Sequence, residues 1–387
     1  MTASPHVDLI TSLAEIAPGQ WNRLAHGDDP FVEHAFLLAL EQSGSVGGHS
    51  GWMPMHLVLR DAEGTPVAAL PLYLKQHSYG EYIFDWSWAS AAARAGIEYY
   101  PKLVSMVPFT PATGRRFLVA PEMDLGEAVG PLLNAANALA QRLQASSIHL
   151  NFLTQPELEA VVAADARFLP RLSMQFHWEN AGYRNFDEYL AKFRASLRKQ
   201  VRKERKRAKE SGLDIRVVEG KDLSRQDIEA LQRFYMDTCY KRGSGPYLTP
   251  SFFDALDGLL AERVVAVLAY RDSQAVAGTL NFERGSHLYG RYWGCIEDHD
   301  ALHFECCYYA LIERAIDKGL THFEAGAQGL HKLRRGLMPT AIHSAHHLLH
   351  PQLAQAVANY LPSEAYAVQQ EIASLSEHGP FHRKHED

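Results

Sequence analysis

The segment Phe323-Glu324-Ala325-Gly326-Ala327-Gln328-Gly329-Leu330-His331-Lys332-Leu333-Arg334-Arg335 gathers the residues of this chain best suited to chemistry. It reads as a strand running into a small-residue turn and then a helical segment. Backbone N–H groups at such a turn can receive a phosphate or carboxylate. His331, Lys332 and Arg335 fall at spacings that share a helix face, and Lys332 with Arg335 could clamp an anion, the arginine through its bidentate fork. Cations at a helix start oppose the macrodipole, so placing them there is costly without an anion. The plainer reading is a helix end whose cations lie in solvent. Glu324 is the first candidate for proton transfer, because an amine that attacks an acyl group must lose a proton to a nearby base. A carboxylate beside a small-residue turn can instead hold that turn by accepting backbone N–H bonds.

His303 and Glu305 open the preceding helix and join Glu324 as candidates for proton transfer and orientation; for His303 a solvent-facing cap is the alternative. Asn281 with Glu283, and Arg291 with Trp293, alternate along two strands, so each pair could line one groove. With Gln328 and Gly329 these complete the substrate-binding candidates of the second half.

The elements that must position these residues occur twice. Residues 67–85, VAALPLYLKQHSYGEYIFD, and 276–293, VAGTLNFERGSHLYGRYW, share an apolar-alternating run, a polar turn and a second run opening on Tyr-Gly. Strands are expected at 55–60, 67–75 and 79–86, then a helix at 126–143 and a strand at 148–153. The second half repeats the order with strands at 264–270, 276–283 and 287–293, a helix at 302–318 and a strand at 321–325. An offset of about two hundred residues is far beyond solenoid periods. The expectation is two copies of one domain, 1–175 and 176–387. The first copy ends in Asn151-Phe152-Leu153-Thr154-Gln155 without a comparable polar cluster, so the second is the catalytic candidate. The first is expected to supply Tyr79, Asp85 and Trp86 as a wall completing the cleft or holding the acceptor.

A net charge of -7 hides a local reversal. From Lys192 to Lys209 the chain carries ten Lys or Arg and one acid, Glu204. Asn185 with Glu188 makes a capping-box start, Leu190, Phe193, Leu197 and Val201 a stripe, and Gly212 a stop, which predicts one long basic helix over 186–211. Its positive face, with Arg198, Lys199, Arg202 and Arg205, suits an anionic partner such as a nucleotide, RNA (tRNA included) or an anionic envelope precursor. A solvated surface is the competing reading. No aromatics interleave these cations, which argues against reading of bases.

Composition excludes several classes. At 387 residues two domains are the prior, and 47% apolar with 21% charged residues describes a globular chain. No apolar run approaches the ~18 residues of a membrane span, and the first residues lack a basic segment followed by an apolar core, so a cytoplasmic protein is expected. Cys239, Cys295, Cys306 and Cys307 form no C-x-x-C pair and read as reduced thiols. His343, His346, His347 and His350 fit no zinc spacing, so no metal is expected. No G-x-S-x-G elbow occurs. The tail offers a helix at about 351–377 and then a frayed polar end.

The layout of helices, three meandering strands, a helix and a strand is similar to a GNAT-type acyltransferase domain. The strings PLYLKQHSYGEYIFDWSW, YYPKLVSMVPFTPATG, HLYGRYWGC, LHFECCYY and FEAGAQGLHKLRRGLMP, from Phe31 to Leu349, resemble the bacterial FemAB-like peptidoglycan biosynthesis or recognition family of that superfamily. The resemblance implies an α/β (α+β) fold of two tandem GNAT-like domains, each a mixed, largely antiparallel sheet flanked by helices. In such a fold the sheet splays at the end of the Glu324 strand. It also implies an N-acyltransferase moving an acyl or aminoacyl group to an amine in a cleft involving the second domain. No tightly bound cofactor is implied, with acyl-CoA or aminoacyl-tRNA as co-substrate. Gly290-Arg291-Tyr292-Trp293-Gly294-Cys295 departs from the R-x-x-G-x-G loop that binds coenzyme A, which puts acetyl-CoA in doubt and resembles the Fem-type enzymes with their aminoacyl-tRNA donor. The alternative is a non-catalytic module that binds an anionic envelope precursor or nucleic acid.

Overall fold

The structure, a computed structural model, describes residues 5–243, 245–326 and 329–382. It forms two compact units: the chain through Ser173 together with Ala341–Gln370, and Met174–Thr340 together with the chain from Glu371 onward. A linear division at residue 175 would assign 341–370 to the second domain, yet that stretch clusters with the first. The reason is strand pairing. His343 to Leu348 of the strand Met338–Leu348 lie antiparallel to Ser147–Leu153, and Leu353, Val357 and Leu361 of the helix Pro351–Glu377 pack with Trp88, Ala92 and Tyr99.

In the first unit, strands His6–Ile10, His56–Arg60, Pro66–Leu70 and Leu118–Val119 make an antiparallel sheet. Tyr73–Lys75 pairs with Lys102–Ser105, which runs parallel to Ser147–Leu153. The helix Leu125–Arg142 turns Val129, Leu132, Leu133 and Ala136 onto Leu57, Leu70, Leu103 and Ile148; fully burying each leucine contributes about 1.5–3 kcal/mol. The strand expected at 79–86 is absent. Gly80 holds φ 80° and Tyr82 φ 59°, the left-handed region that breaks a strand, and a helix begins at Trp86. A side chain on Gly80 would also meet the Phe109 ring at 2.7 Å. Tyr289-Gly290, by contrast, lies inside a strand, so the two Tyr-Gly motifs are not structural equivalents.

In the second unit, strands Asp214–Glu219, Val264–Arg271, Gln274–Arg284 and His287–Cys295 form an antiparallel meander. His322–Glu324 then runs parallel to His287–Cys295 and antiparallel to the end of Leu169–Glu179. The helix Arg225–Lys241, closed by a Ser224–Asp227 capping box, crosses so near the sheet that a Cβ on Gly294 would stand 2.3 Å from the Phe234 carbonyl oxygen. The helix expected at 302–318 contains a π-helical turn, Glu305–Tyr309, between Leu302–Phe304 and Ala310–Asp317.

The basic segment is two helices, Phe186–Ala191 and Ala195–Lys209. The break has a tertiary cause. Phe193 bridges to Phe381, the Arg194 N–H donates to Pro380 O at 2.9 Å and the His382 N–H to Lys192 O at 3.0 Å. The tail thus takes backbone groups that a continuous helix would use, and it is pinned through His382, where fraying was expected. Among the described residues, no helix is long and apolar enough to cross a membrane.

Candidate active site

The strand His322–Glu324 pairs with His287, Leu288 and Tyr289, and stops. Its neighbour continues to Cys295, so the pairing ends at Tyr289 and Glu324 while one strand runs on. Gly290 lets the turn after Glu324 pack close against the continuing strand: a Cβ there would lie 3.3 Å from the Phe323 ring and 3.6 Å from Ala325 Cα. On the continuing strand Arg291 and Trp293 are half-buried. The Arg291 guanidinium is 5.2 Å from the Tyr292 ring, and Trp293 meets His303 edge-on at 5.2 Å. Asn281 does not line a groove. It is buried at a β-bulge, and its amide nitrogen donates to Val265 O and Thr279 Oγ1, both at 2.9 Å.

The turn after Glu324 corrects the anion-clamp expectation. Leu330–Arg335 is a single short 3-10 helix, whose tighter winding turns Lys332 and Arg335 inward, leaving them 2% and 3% exposed. Arg335 Nη2 is 2.8 Å from Glu204 Oε2, Nη1 donates to His331 O at 2.8 Å, and the guanidinium lies 3.4 Å above the Phe304 ring. Its charge is already neutralised. Lys332 Nζ donates to Gly326 O at 2.6 Å, and among the described residues no carboxylate pairs with it. Burial pushes its pKa down to about 7. Of the expected trio His331 alone stays exposed, its Nε2 2.8 Å from the Tyr308 hydroxyl. Partial desolvation of the ring, helped by the charges of Arg335 and Lys332, lowers the His331 pKa. Gly329 sits at φ 121°, and a Cβ there would strike the His331 ring at 2.5 Å. Gln328 lies outside the described residues.

Of the expected proton-transfer groups, Glu305 is taken. It is buried and held by Arg205, Nη2 to Oε1 at 2.9 Å, while Arg205 also binds Glu313 at 2.5 Å and lies 4.3 Å from the Phe186 ring. Arg205 therefore leaves the anion-binding set and Glu305 the catalytic one. Arg198, Lys199 and Arg202 remain on the helix; Lys199 and Arg202 are exposed and Arg198 is half-buried. His303 is half-buried, with Tyr308 and His331 edge-on at 5.6 and 5.9 Å. Burial, then His331 and Arg335, push its pKa down to about 4, so it is neutral at pH 7. Glu324, 4% exposed, has His177 Nε2 at 3.8 Å and His322 Nε2 at 3.7 Å. The strand's two-residue period does place His322 and Glu324 on one side.

In the first unit Asp85 is not a substrate-facing group. It is 1% exposed and bound to Lys102, whose Nζ also donates to Glu81 and Ser78 at 2.9 Å, and it accepts from the Tyr99 hydroxyl at 2.7 Å. Burial acts to raise the Asp85 pKa, but Lys102 holds it low. Lys75, also buried, lies 3.6 Å over the Trp52 ring and donates to Tyr79 O at 2.7 Å. Tyr79 and Trp86 are exposed and edge-on at 5.1 Å.

Sequence reasoning did not single out His177, Tyr308, Lys75 or Lys102. His177 carried a usable signal, since Gln175, His177 and Glu179 alternate with Phe176 and Trp178. So did Glu204, the lone acid of the basic run.

A family profile described as FemAB-like, peptidoglycan biosynthesis/recognition, matches residues 12–383. No curated protein matches the chain in sequence. Among solved structures the chain is similar to FemX, with a TM-score of 0.55 at 14% identity over 89% of this chain and 98% of that one. It is also similar to the C-terminal domain of a putative lysylphosphatidylglycerol synthetase from Agrobacterium fabrum, with a TM-score of 0.51 at 12% identity over 91% and 97%. L-PGS from Bacillus licheniformis gives a TM-score of 0.50 at 10% identity over 84% and 95%. At such identities the likeness speaks for the fold, an α/β fold of two tandem GNAT-like domains whose strands pair in a mixed, largely antiparallel way and are flanked by helices.

Proposed function

We propose, for a chain that belongs to the FemAB-like family of peptidoglycan biosynthesis/recognition proteins, that its second unit transfers an acyl or aminoacyl group to an amine. The observation that carries this reading is the buried Lys332 amine at the turn after His322–Glu324, where pairing with His287–Cys295 ends; among the described residues no carboxylate neutralises it. An attacking amine must shed a proton, and a base works best with a pKa near the working pH. Lys332, pushed down to about 7, is neutral in a large fraction of molecules there, and we assign it the proton. The neutral imidazoles of His303 and His331, with Tyr308, orient the reacting groups beside it.

For the donor we favour an aminoacyl-tRNA over acyl-CoA. Residues Gly290–Cys295 are a continuous strand where the coenzyme A pattern would require a loop, and Arg198, Lys199 and Arg202 leave positive charge uncommitted to buried acids. A cytoplasmic site of action belongs to the same proposal, as does a peptide-like amine of an envelope precursor as acceptor.

Thermal-shift titration with acetyl-CoA, an aminoacyl-tRNA pool and muropeptides tests the donor. Saturating tRNA at about 100 times Kd is worth about 2.7 kcal/mol of stability and should raise Tm visibly, with no response to acetyl-CoA. The opposite pattern would reverse the donor assignment, and binding without any product would make the protein a recognition module. Replacing Arg198, Lys199 and Arg202 together by Ala should weaken tRNA binding and flatten the log K against log salt slope by about 2, at roughly 0.7 per phosphate contact for single strands. An unchanged slope would show that this helix face does not carry the nucleic acid.

A further inference from the structure

Three adjoining strands of the second unit present one shared face bearing Gln175 and His177, His322 and Glu324, and His287 and Tyr289. Among these, one nitrogen from His177, one from His322 and one carboxylate oxygen of Glu324 all lie within 4.8 Å of one another. His177 Nδ1 is 3.2 Å from His322 Nε2, and His322 Nε2 is 3.7 Å from Glu324 Oε1. Donors around a tetrahedral ion with bonds of ~2.1 Å stand about 3.4 Å apart. The His177–His322 and His322–Glu324 separations already lie within a few tenths of an ångström of that spacing.

The surroundings also suit a ligand set. Gln175 Oε1 is 3.3 Å from His177 Nε2, so it can accept that N–H and leave the Nδ1 lone pair facing His322, the partner arrangement that orients imidazole ligands. His177 and Glu324 are 4% exposed and their strands are hydrogen-bonded to one another, which fixes the donors before an ion arrives.

We propose that His177, His322 and Glu324 bind one divalent ion of the zinc class. Two imidazoles and one carboxylate are a borderline-soft set that suits zinc, cobalt or nickel over magnesium and calcium, and three protein ligands leave a fourth position for water. The proposal does not rest on the transferase reading, in which Lys332 carries the proton, and it is tested without turnover.

The full-length protein, stripped with chelator and dialysed, is titrated with CoCl2 followed by visible absorption, with ZnCl2 by calorimetry, and with MgCl2 as control. Expected are one equivalent of cobalt with tetrahedral absorption bands, its displacement by zinc, and no uptake of magnesium. His322→Ala and Glu324→Gln should each weaken zinc binding by about a hundredfold or more. The His322 side chain is 18% exposed, so His322→Ala keeps the test valid should a change at His177 unfold the protein, and circular dichroism checks each variant. No zinc uptake by the unmodified protein would overturn the site and leave a hydrogen-bonded cluster. Undiminished uptake by both folded variants would do the same, placing the ion elsewhere among the 20 histidines.

Discussion

Lys332→Met should lower the transfer rate by about 10²–10⁴-fold, the usual worth of a positioned acid or base, and at the same time make the protein more stable. Both effects come from one fact: the amine is 2% exposed and donates to a neutral carbonyl, Gly326 O. Burial lowers its pKa from 10.5 in the unfolded chain to about 7 in the fold. Between about pH 7 and 10.5 the unfolded chain therefore holds one more proton than the folded one, so this group's contribution to stability rises with pH across that window. Below about 7 the full cost of the buried ammonium is present. Methionine, of similar length and uncharged, removes that cost, and the gain should be about 1–4 kcal/mol at pH 6, shrinking as pH approaches 10. Urea unfolding at the two pH values measures it. The rate profile supplies an independent check, since kcat of the unmodified enzyme should rise through about pH 7 and level off. A variant that keeps its kcat, or that loses stability at pH 6, removes Lys332 from the mechanism. Stability withheld at a functional position is a common trade.

Glu204→Ala should destabilise the protein by about 3–5 kcal/mol, the cost of leaving a buried charge without its partner. Glu204 Oε2 accepts from Arg335 at 2.8 Å and from the Tyr309 hydroxyl, and Oε1 accepts from Gln200 at 2.8 Å. Removing the carboxylate orphans a guanidinium that is 3% exposed. The double variant Glu204→Ala/Arg335→Met should recover most of the loss, and the cycle reports the coupling directly. This separates an ion pair from an anion clamp. Were Arg335 a phosphate ligand, Glu204→Ala would free it, and added inorganic phosphate would restore stability. A cost under about 1 kcal/mol, the worth of an exposed pair, would contradict the buried pair altogether.

The meander of the second unit was legible because alternation is a local property. Strands expected at 264–270, 276–283 and 287–293 are found at Val264–Arg271, Gln274–Arg284 and His287–Cys295. The start of Arg225–Lys241 is likewise local, set by the Ser224–Asp227 capping box. Residues 79–86 misled for the same reason: their alternation is real, but positive φ at Gly80 and Tyr82 turns the chain. The basic helix misled because its break lies in hydrogen bonds to residues 380–382, remote in sequence. Of the candidate residues, His303 meets His331 and Lys332 reaches the turn after Glu324 at Gly326, while Glu305, Arg335 and Asn281 serve the scaffold.

What the amino-acid order determined unaided was period and position: which residues share a strand face, where helices are capped, and that His322 stands beside Glu324. What tertiary structure alone decided was which charges are spent. Arg205 meets Glu305 100 residues away, Arg335 meets Glu204 at 131, and His177 meets His322 at 145. No local pattern encodes such partners, because the free energy of a charge depends on what removes its water and what replaces it. The same rule left Lys332 with a lowered pKa and Arg335 ion-paired to Glu204, three residues apart on one short helix.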